Sequence, residues 1–180
     1  AAPQKVLRYA IRSAETGFDP AQLSDLYSRI LVANMLDAPY AYEFLARPVR
    51  IRPNPAVALP EASADYKTFT IRLRPGIYFN DDPAFNGKKR ELVADYVYSI
   101  KRLFDPRWKS PSYTDMANNQ ILGLNELREA AIKGKKPFDY DAPVEGLRAL
   151  DRYTLQFKLA RPHPRFTDEL TEQQIWSVVA

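Results

Sequence analysis

Between Thr68 and Phe79 the chain sets apolar residues at alternate positions: Phe69, Ile71 and Leu73, then Ile77 and Phe79 beyond Pro75-Gly76. A period of two belongs to a strand with one face in a core and the other, here Thr68, Thr70, Arg72 and Arg74, in water. Asn80-Asp81-Asp82-Pro83 ends the run with turn chemistry. After Gly87 the period changes, and Val93, Tyr96, Val97, Ile100, Leu103 and Phe104 line one helical face. Glu91 and Asp95 lie toward the start of that helix, Lys101 and Arg102 in its last turn, and Pro106 stops it, all in the sense of the helix dipole. The expected nucleus is therefore a pair of strands, folded back at Pro75-Gly76, packed on the helix that holds Tyr96 and Ile100.

Proline limits what can surround this nucleus. The chain has 15 prolines in 180 residues, and Pro39, Pro48, Pro53, Pro55 and Pro60 fall in one stretch. Proline lacks an N–H and restrains its predecessor, which disfavours helix there and suits short edge strands. Val49-Arg50-Ile51 reads as one such strand and Ala56-Val57-Ala58-Leu59 as a second. Upstream, residues 5–11 read as an opening strand and Glu15-Thr16-Gly17-Phe18-Asp19-Pro20 as a turn. Residues 21–35 read as a helix whose buried stripe is Leu23, Leu26, Tyr27, Ile30, Leu31 and Met35. Downstream come a helix over 124–133 closed by Gly134 and Pro137, strands over 144–150 and 155–159 around Asp151-Arg152, and a helix starting at Phe166. Neither an internal repeat nor a low-complexity segment interrupts the order. The pattern is α/β in the broad sense, a mixed α+β fold.

Composition removes several functions. Hydrophobic residues make up 46% of the chain and charged ones 27%, enough for one sizeable core or a core with a smaller one appended. No apolar run approaches the ~18 residues of a membrane span. Cysteine is absent, which excludes disulfides, thiolate metal sites and cysteine nucleophiles. The single histidine, His163, lies between Pro162 and Pro164 with no oriented partner implied. One His, no Cys and no HExxH leave no common transition-metal site. Asp81-Asp82 sits in a proline-bounded turn, where adjacent acids terminate a strand. The six glycines are scattered at turns, so no phosphate-cradling loop exists. No catalytic residue, metal or cofactor is expected.

Net charge is +4, which raises nucleic acid as a partner. The densest basic groups, Lys88-Lys89-Arg90 and residues 133–136, each lie beside a glycine near a helix end, where cations complement backbone dipoles or remain solvated. No RNA- or DNA-binding motif accompanies them. A basic nucleic-acid module and a ligand-free interaction domain remain the alternatives from other classes. Ala1-Ala2-Pro3 carries neither a basic n-region nor an apolar h-region, the form left when a signal peptide has been removed. The final Val178-Val179-Ala180 has no polar tail and no helix terminator, as expected of a piece cut from a longer chain.

Five stretches, in order, resemble the family 5 extracellular solute-binding proteins, the oligopeptide- and dipeptide-binding group. Glu15 to Pro20 is similar to the family's turn before its first helix. Leu59-Pro60-Glu61 with Thr68-Phe69-Thr70-Ile71-Arg72-Leu73-Arg74-Pro75-Gly76-Ile77-Tyr78-Phe79 resembles its strand signature. Asp95-Tyr96-Val97-Tyr98-Ser99-Ile100-Lys101-Arg102, with Asp105-Pro106 and Ser110-Pro111, is similar to the helix that follows. Gly134-Lys135-Lys136-Pro137 resembles the oligopeptide-binding subgroup, and Val144-Glu145-Gly146-Leu147-Arg148-Ala149-Leu150-Asp151 with Tyr153-Thr154-Leu155 closes the pattern. Pro162 to Phe166 is similar to a further family motif. The link from Asp81 to Arg90 is longer than the family's usual one, which sets this chain in a subfamily.

The resemblance implies part of a type II periplasmic-binding-protein fold: the N-terminal lobe of a two-lobed clamshell, with its extra hairpin-and-helix subdomain. It would assign residues 1–38 to the first lobe, 39–159 to the inserted subdomain, and 160–180 to the return into the first lobe. It implies a small solute or peptide as ligand, with nickel chelates, sugars or other solutes as alternatives. It also implies an ABC-transporter permease as membrane partner, and a periplasmic location or a lipoprotein at a Gram-positive cell surface. Two groups map onto ligand-facing family segments: Ser24, Asp25, Leu26 and Tyr27 at the start of the first helix, and Tyr113 and Asp115 beyond Ser110-Pro111. Core packing is the other role open to Leu26 and Tyr27, while Tyr113 and Asp115 are expected in a polar stretch between helices.

Overall fold

A computed structural model describes residues 5–179. The expectations placed on Ala1-Ala2-Pro3 and Ala180 lie outside the described residues. The architecture is mixed α+β. A four-stranded antiparallel sheet has the order β3-β4-β6-β5, from β3 (Glu61–Ala62), β4 (Thr68–Arg72), β5 (Leu147–Asp151) and β6 (Thr154–Lys158). A separate antiparallel pair joins β1 (Tyr40–Tyr42) to β2 (Ile51–Pro53). The helices are α1 (Leu26–Val32), α2 (Tyr96–Phe104), α3 (Tyr113–Asn118), α4 (Leu124–Gly134), α5 (Phe166–Glu169) and α6 (Gln173–Trp176).

The alternation over 68–73 translates directly. Phe69 and Ile71 of β4 stand opposite Phe157 and Leu155 of β6, and all four are buried. Phe166 and Trp176 pack on them, with ring centroids 4.9 Å from Phe69 to Phe166, 5.7 Å from Phe157 to Trp176 and 5.5 Å from Phe166 to Trp176. These separations suit tilted and edge-to-face aromatic contact. Tyr96, Ile100, Leu103 and Phe104 of α2 enter the same continuous core, which draws on residues from Ala21 to Val178.

The strand pair expected at Pro75-Gly76 does not form. The turn is present, with Gly76 at φ +79°, but β4 already has β3 on one edge and β6 on the other. Ile77 and Phe79 therefore pair with the segment before α2: the Phe79 N–H donates to the Arg90 carbonyl at 2.9 Å, and Leu92 N–H to the Ile77 carbonyl at 2.8 Å. Glu91 binds this corner together. Its carboxylate accepts from the Gly76 N–H (2.8 Å), Arg152 Nη2 (2.9 Å) and the Tyr153 hydroxyl (3.0 Å).

Other elements depart from the sequence pattern. Residues 5–11 form no strand, and Val6, Leu7 and Tyr9 are exposed, because no strand of the described residues lies beside them. The strand read at 49–51 is shifted to Ile51–Pro53, and its partner Tyr40–Tyr42 carries no clear alternation. Of 56–59 only Ala56 pairs, by a single bridge to Leu73. The strand expected from Val144 begins at Leu147. Lys101 is no solvated dipole partner: it is buried, and its ammonium donates to the carbonyls of Tyr140 (2.7 Å) and Ala142 (2.8 Å).

Candidate functional site

The helix expected over 21–35 is confined to Leu26–Val32, and the reason lies in Asp25. Asp25 is the N-cap: its carboxylate accepts from the Ser28 N–H at 2.8 Å and from the Thr16 hydroxyl at 2.6 Å. The Thr16 N–H donates to the Ser28 hydroxyl at 2.9 Å, so the Glu15–Pro20 turn is sewn to the first turn of α1. Hydrogen bonds from Ser28 and Thr16 hold the Asp25 carboxyl well below the usual range. A second tie reaches α2, where Arg102 grips both oxygens of Asp19 at 2.9 and 2.6 Å while lying 4.8 Å from the Trp108 ring.

This stitching decides which side of α1 is covered. Ser28 and Val32 face the interior. Leu26 is 64% exposed, Ile30 45% and Met35 59%, so this part of the apolar stripe read as core faces outward, while Leu23 is buried and Tyr27 and Leu31 are half-buried. Core packing is thus excluded for Leu26, while Tyr27 is half-buried and Ser24 is exposed.

Tyr113 and Asp115 lie in α3 itself, not in an irregular stretch between helices, because Ser110-Pro111-Ser112 is the turn that leads into it. Tyr113 is held on three sides: Phe104 meets its ring edge-on at 5.6 Å, Arg128 stacks over it at 4.0 Å, and its hydroxyl meets Asn125 at 3.3 Å. Asp115, two residues along, is exposed and opens on a cleft of about 340 Å³ between α3 and α5–α6.

Asp115 shares its cleft with a residue the sequence did not single out. Glu172, just before α6, shares the cleft with Asp115 and Glu169. Its carboxyl is raised above the ordinary range, first by the crowding wall that strips its hydration, then by the charges of Glu169 and Asp115, with Arg29 of α1 opposing them. Arg29 lies in α1, and its Nε is buried without a partner. Glu172 sits in a short polar run whose period says nothing about what it faces, so no sequence signal marked it. Ser24, Asp25, Leu26, Tyr27 and Tyr113 do not line the cleft. No cluster of metal-ligating side chains occurs among the described residues.

Three comparisons bear on this arrangement. The profile of bacterial extracellular solute-binding proteins, family 5 (Middle), matches residues 50–179. The chain is similar to the periplasmic oligopeptide-binding protein OppA of Salmonella typhimurium, 32% identical over 114 residues, covering 63% of this chain and 18% of the relative. It is also similar to di/tripeptide-binding protein 2 of Pseudomonas aeruginosa, 26% identical over 175 residues, covering 94% of this chain and 29% of that one. Among solved structures, the pheromone receptor PrgZ superposes on 91% of this chain with a TM-score of 0.68 at 27% identity, using 28% of its own length. The chain thus spans less than a third of the relatives it matches.

Proposed function

The chain belongs to the bacterial extracellular solute-binding proteins of family 5, and from that premise we propose that it supplies one wall of a clamshell which captures a peptide for an ABC importer. The observation that carries the reading is the outward face of α1, where Leu26 and Ile30 stand exposed. An exposed apolar strip suits a ligand whose side chains vary. A peptide carrier must grip what peptides share, amide groups and charged ends, and strand-like pairing with polar contacts does so. The relatives named for oligopeptides and for di- and tripeptides favour that cargo over a nickel chelate or a sugar.

In this reading residues 1–38 and 160–180 build the first lobe, and 39–159 the inserted subdomain. Ser24, Leu26, Tyr27 and Asp115 face the ligand, while Asp25 and Tyr113 hold the backbone that presents them. The protein binds and delivers without chemistry, acts outside the cytoplasmic membrane, and hands its cargo to a permease. Calorimetry on the full-length parent with mixed di- to pentapeptides tests the proposal, with mass spectrometry of any co-purified ligand. Peptide binding supports it. A bound sugar or metal chelate, or strongly salt-dependent binding to DNA or RNA, overturns it.

A further inference from the structure

We propose that the tip of the β1–β2 hairpin docks on an anionic lipid bilayer, with Phe44 and Leu45 entering the headgroup layer and Arg47, Arg50 and Arg52 pairing with its phosphates. β1 and β2 form a pair apart from the four-stranded sheet, with Tyr42 opposite Ile51. The Glu43 N–H extends this ladder by donating to the Arg50 carbonyl at 2.8 Å, so residues 44–49 project beyond the paired backbone. Within that projection Phe44 is 87% exposed, Leu45 72% and Val49 68%. Apolar side chains gathered in water contribute nothing to the fold, and such patches mark contacts with proteins or membranes.

Charge and order along the hairpin select the membrane. Residues 40–60 carry three arginines against one acid, Glu43. Arg47, Arg50 and Arg52 are all exposed, and none is ion-paired among the described residues, unlike Arg72, Arg90, Arg102, Arg107 and Arg152. Guanidinium groups meet phosphate through paired hydrogen bonds. Arg50 and Arg52 lie on the paired part of the hairpin, farther from its end than Phe44 and Leu45. An anionic bilayer has the matching order, phosphates first and hydrocarbon beneath, and long arginine stems span the boundary between them. A protein pocket would have to match the tip in shape; a bilayer needs only this order. The net charge of +4 has the same sign. The inference requires a protein that works at the outer face of the membrane and is independent of its cargo.

The test uses the full-length parent in flotation with vesicles of phosphatidylglycerol and phosphatidylethanolamine, against neutral phosphatidylcholine vesicles. The expected result is binding to the anionic vesicles that weakens as salt rises. Arg47→Gln and Arg50→Gln should each weaken it roughly fivefold, and Phe44→Ser with Leu45→Ser at least ~10-fold, while peptide affinity in the same proteins stays unchanged. Hydroxyl-radical footprinting at Phe44 and Leu45 separates the other occupants. Oxidation in the free parent that anionic vesicles suppress supports the proposal. Protection already present in the free parent assigns the tip to the rest of that chain, protection that grows with protein concentration to a second copy, and protection only by permease in neutral lipid to a protein partner; each overturns it. Absent flotation, equal flotation with neutral vesicles, or flotation that survives the double serine substitution overturns it as well, and all of these leave the peptide-binding reading intact. A parent that floats as expected but binds no peptide overturns that reading alone.

Discussion

Single residues carry much of this fold by what they leave out. Gly146 is one: a Cβ there would stand 2.3 Å from the Leu122 N, 2.6 Å from the Lys158 carbonyl and 2.7 Å from the Leu122 carbonyl. Those same groups are joined by hydrogen bonds, Gly146 N–H to Leu122 at 2.8 Å and Lys158 N–H to Gly146 at 2.9 Å. Because the obstacles are backbone atoms, Gly146→Ala must separate the segment before α4 from β6, and chemical denaturation should show a loss of about 1–3 kcal/mol or more. Glu172 predicts the opposite sign. Its folded-state carboxyl is raised, so its favourable contribution exists below the ordinary carboxylate range and is lost as pH rises. Glu172→Gln should therefore raise the melting temperature at pH 7, with the gap closing toward pH 4.

Elements were legible where period and end signals agreed, and obscure where partners came from far along the chain. β4 folds as the sequence indicates, while α2 begins only at Tyr96, so Glu91 and Val93, read at its start, lie before it. The hairpin expected beyond Gly76 failed because alternation identifies a strand's faces but not its edges, and the edges of β4 belong to β3 and β6. In α1 the period identified which residues are apolar, not which side would be covered; the polar pair Thr16 and Ser28 decided that. The clasp at Glu91 is a test at this scale. Bonds from Gly76, Arg152 and Tyr153 lower its carboxyl, so its stabilisation is present above the ordinary carboxylate range and is lost as pH falls through the folded value. Glu91→Gln should lower the melting temperature at pH 7 and converge with the parent near pH 3, and amide exchange at Gly76 should quicken.

At the scale of the molecule, resemblance identified the family and the order of elements, while the cleft was half legible. Asp115, named from the sequence, lines the cleft; Glu172 and Asn119 carried no sequence signal, since their meeting depends on how α3 and α6 converge. A lobe alone makes only part of a ligand's contacts. If the parent binds a peptide at ~1 μM, about −8.2 kcal/mol, half of that free energy leaves a Kd of ~1 mM. Calorimetry on the 180 residues alone should therefore show no binding at micromolar concentration; micromolar affinity would mean that this half holds the whole site. The rims of the sheet have a consequence of their own. One is β3, two residues long and preceded by Pro60; the other is β5, irregular between Ala149 and Asp151 and bearing Arg148. Short, kinked and charged margins give neighbouring molecules no template to extend, so the chain should resist fibril growth even when crowded.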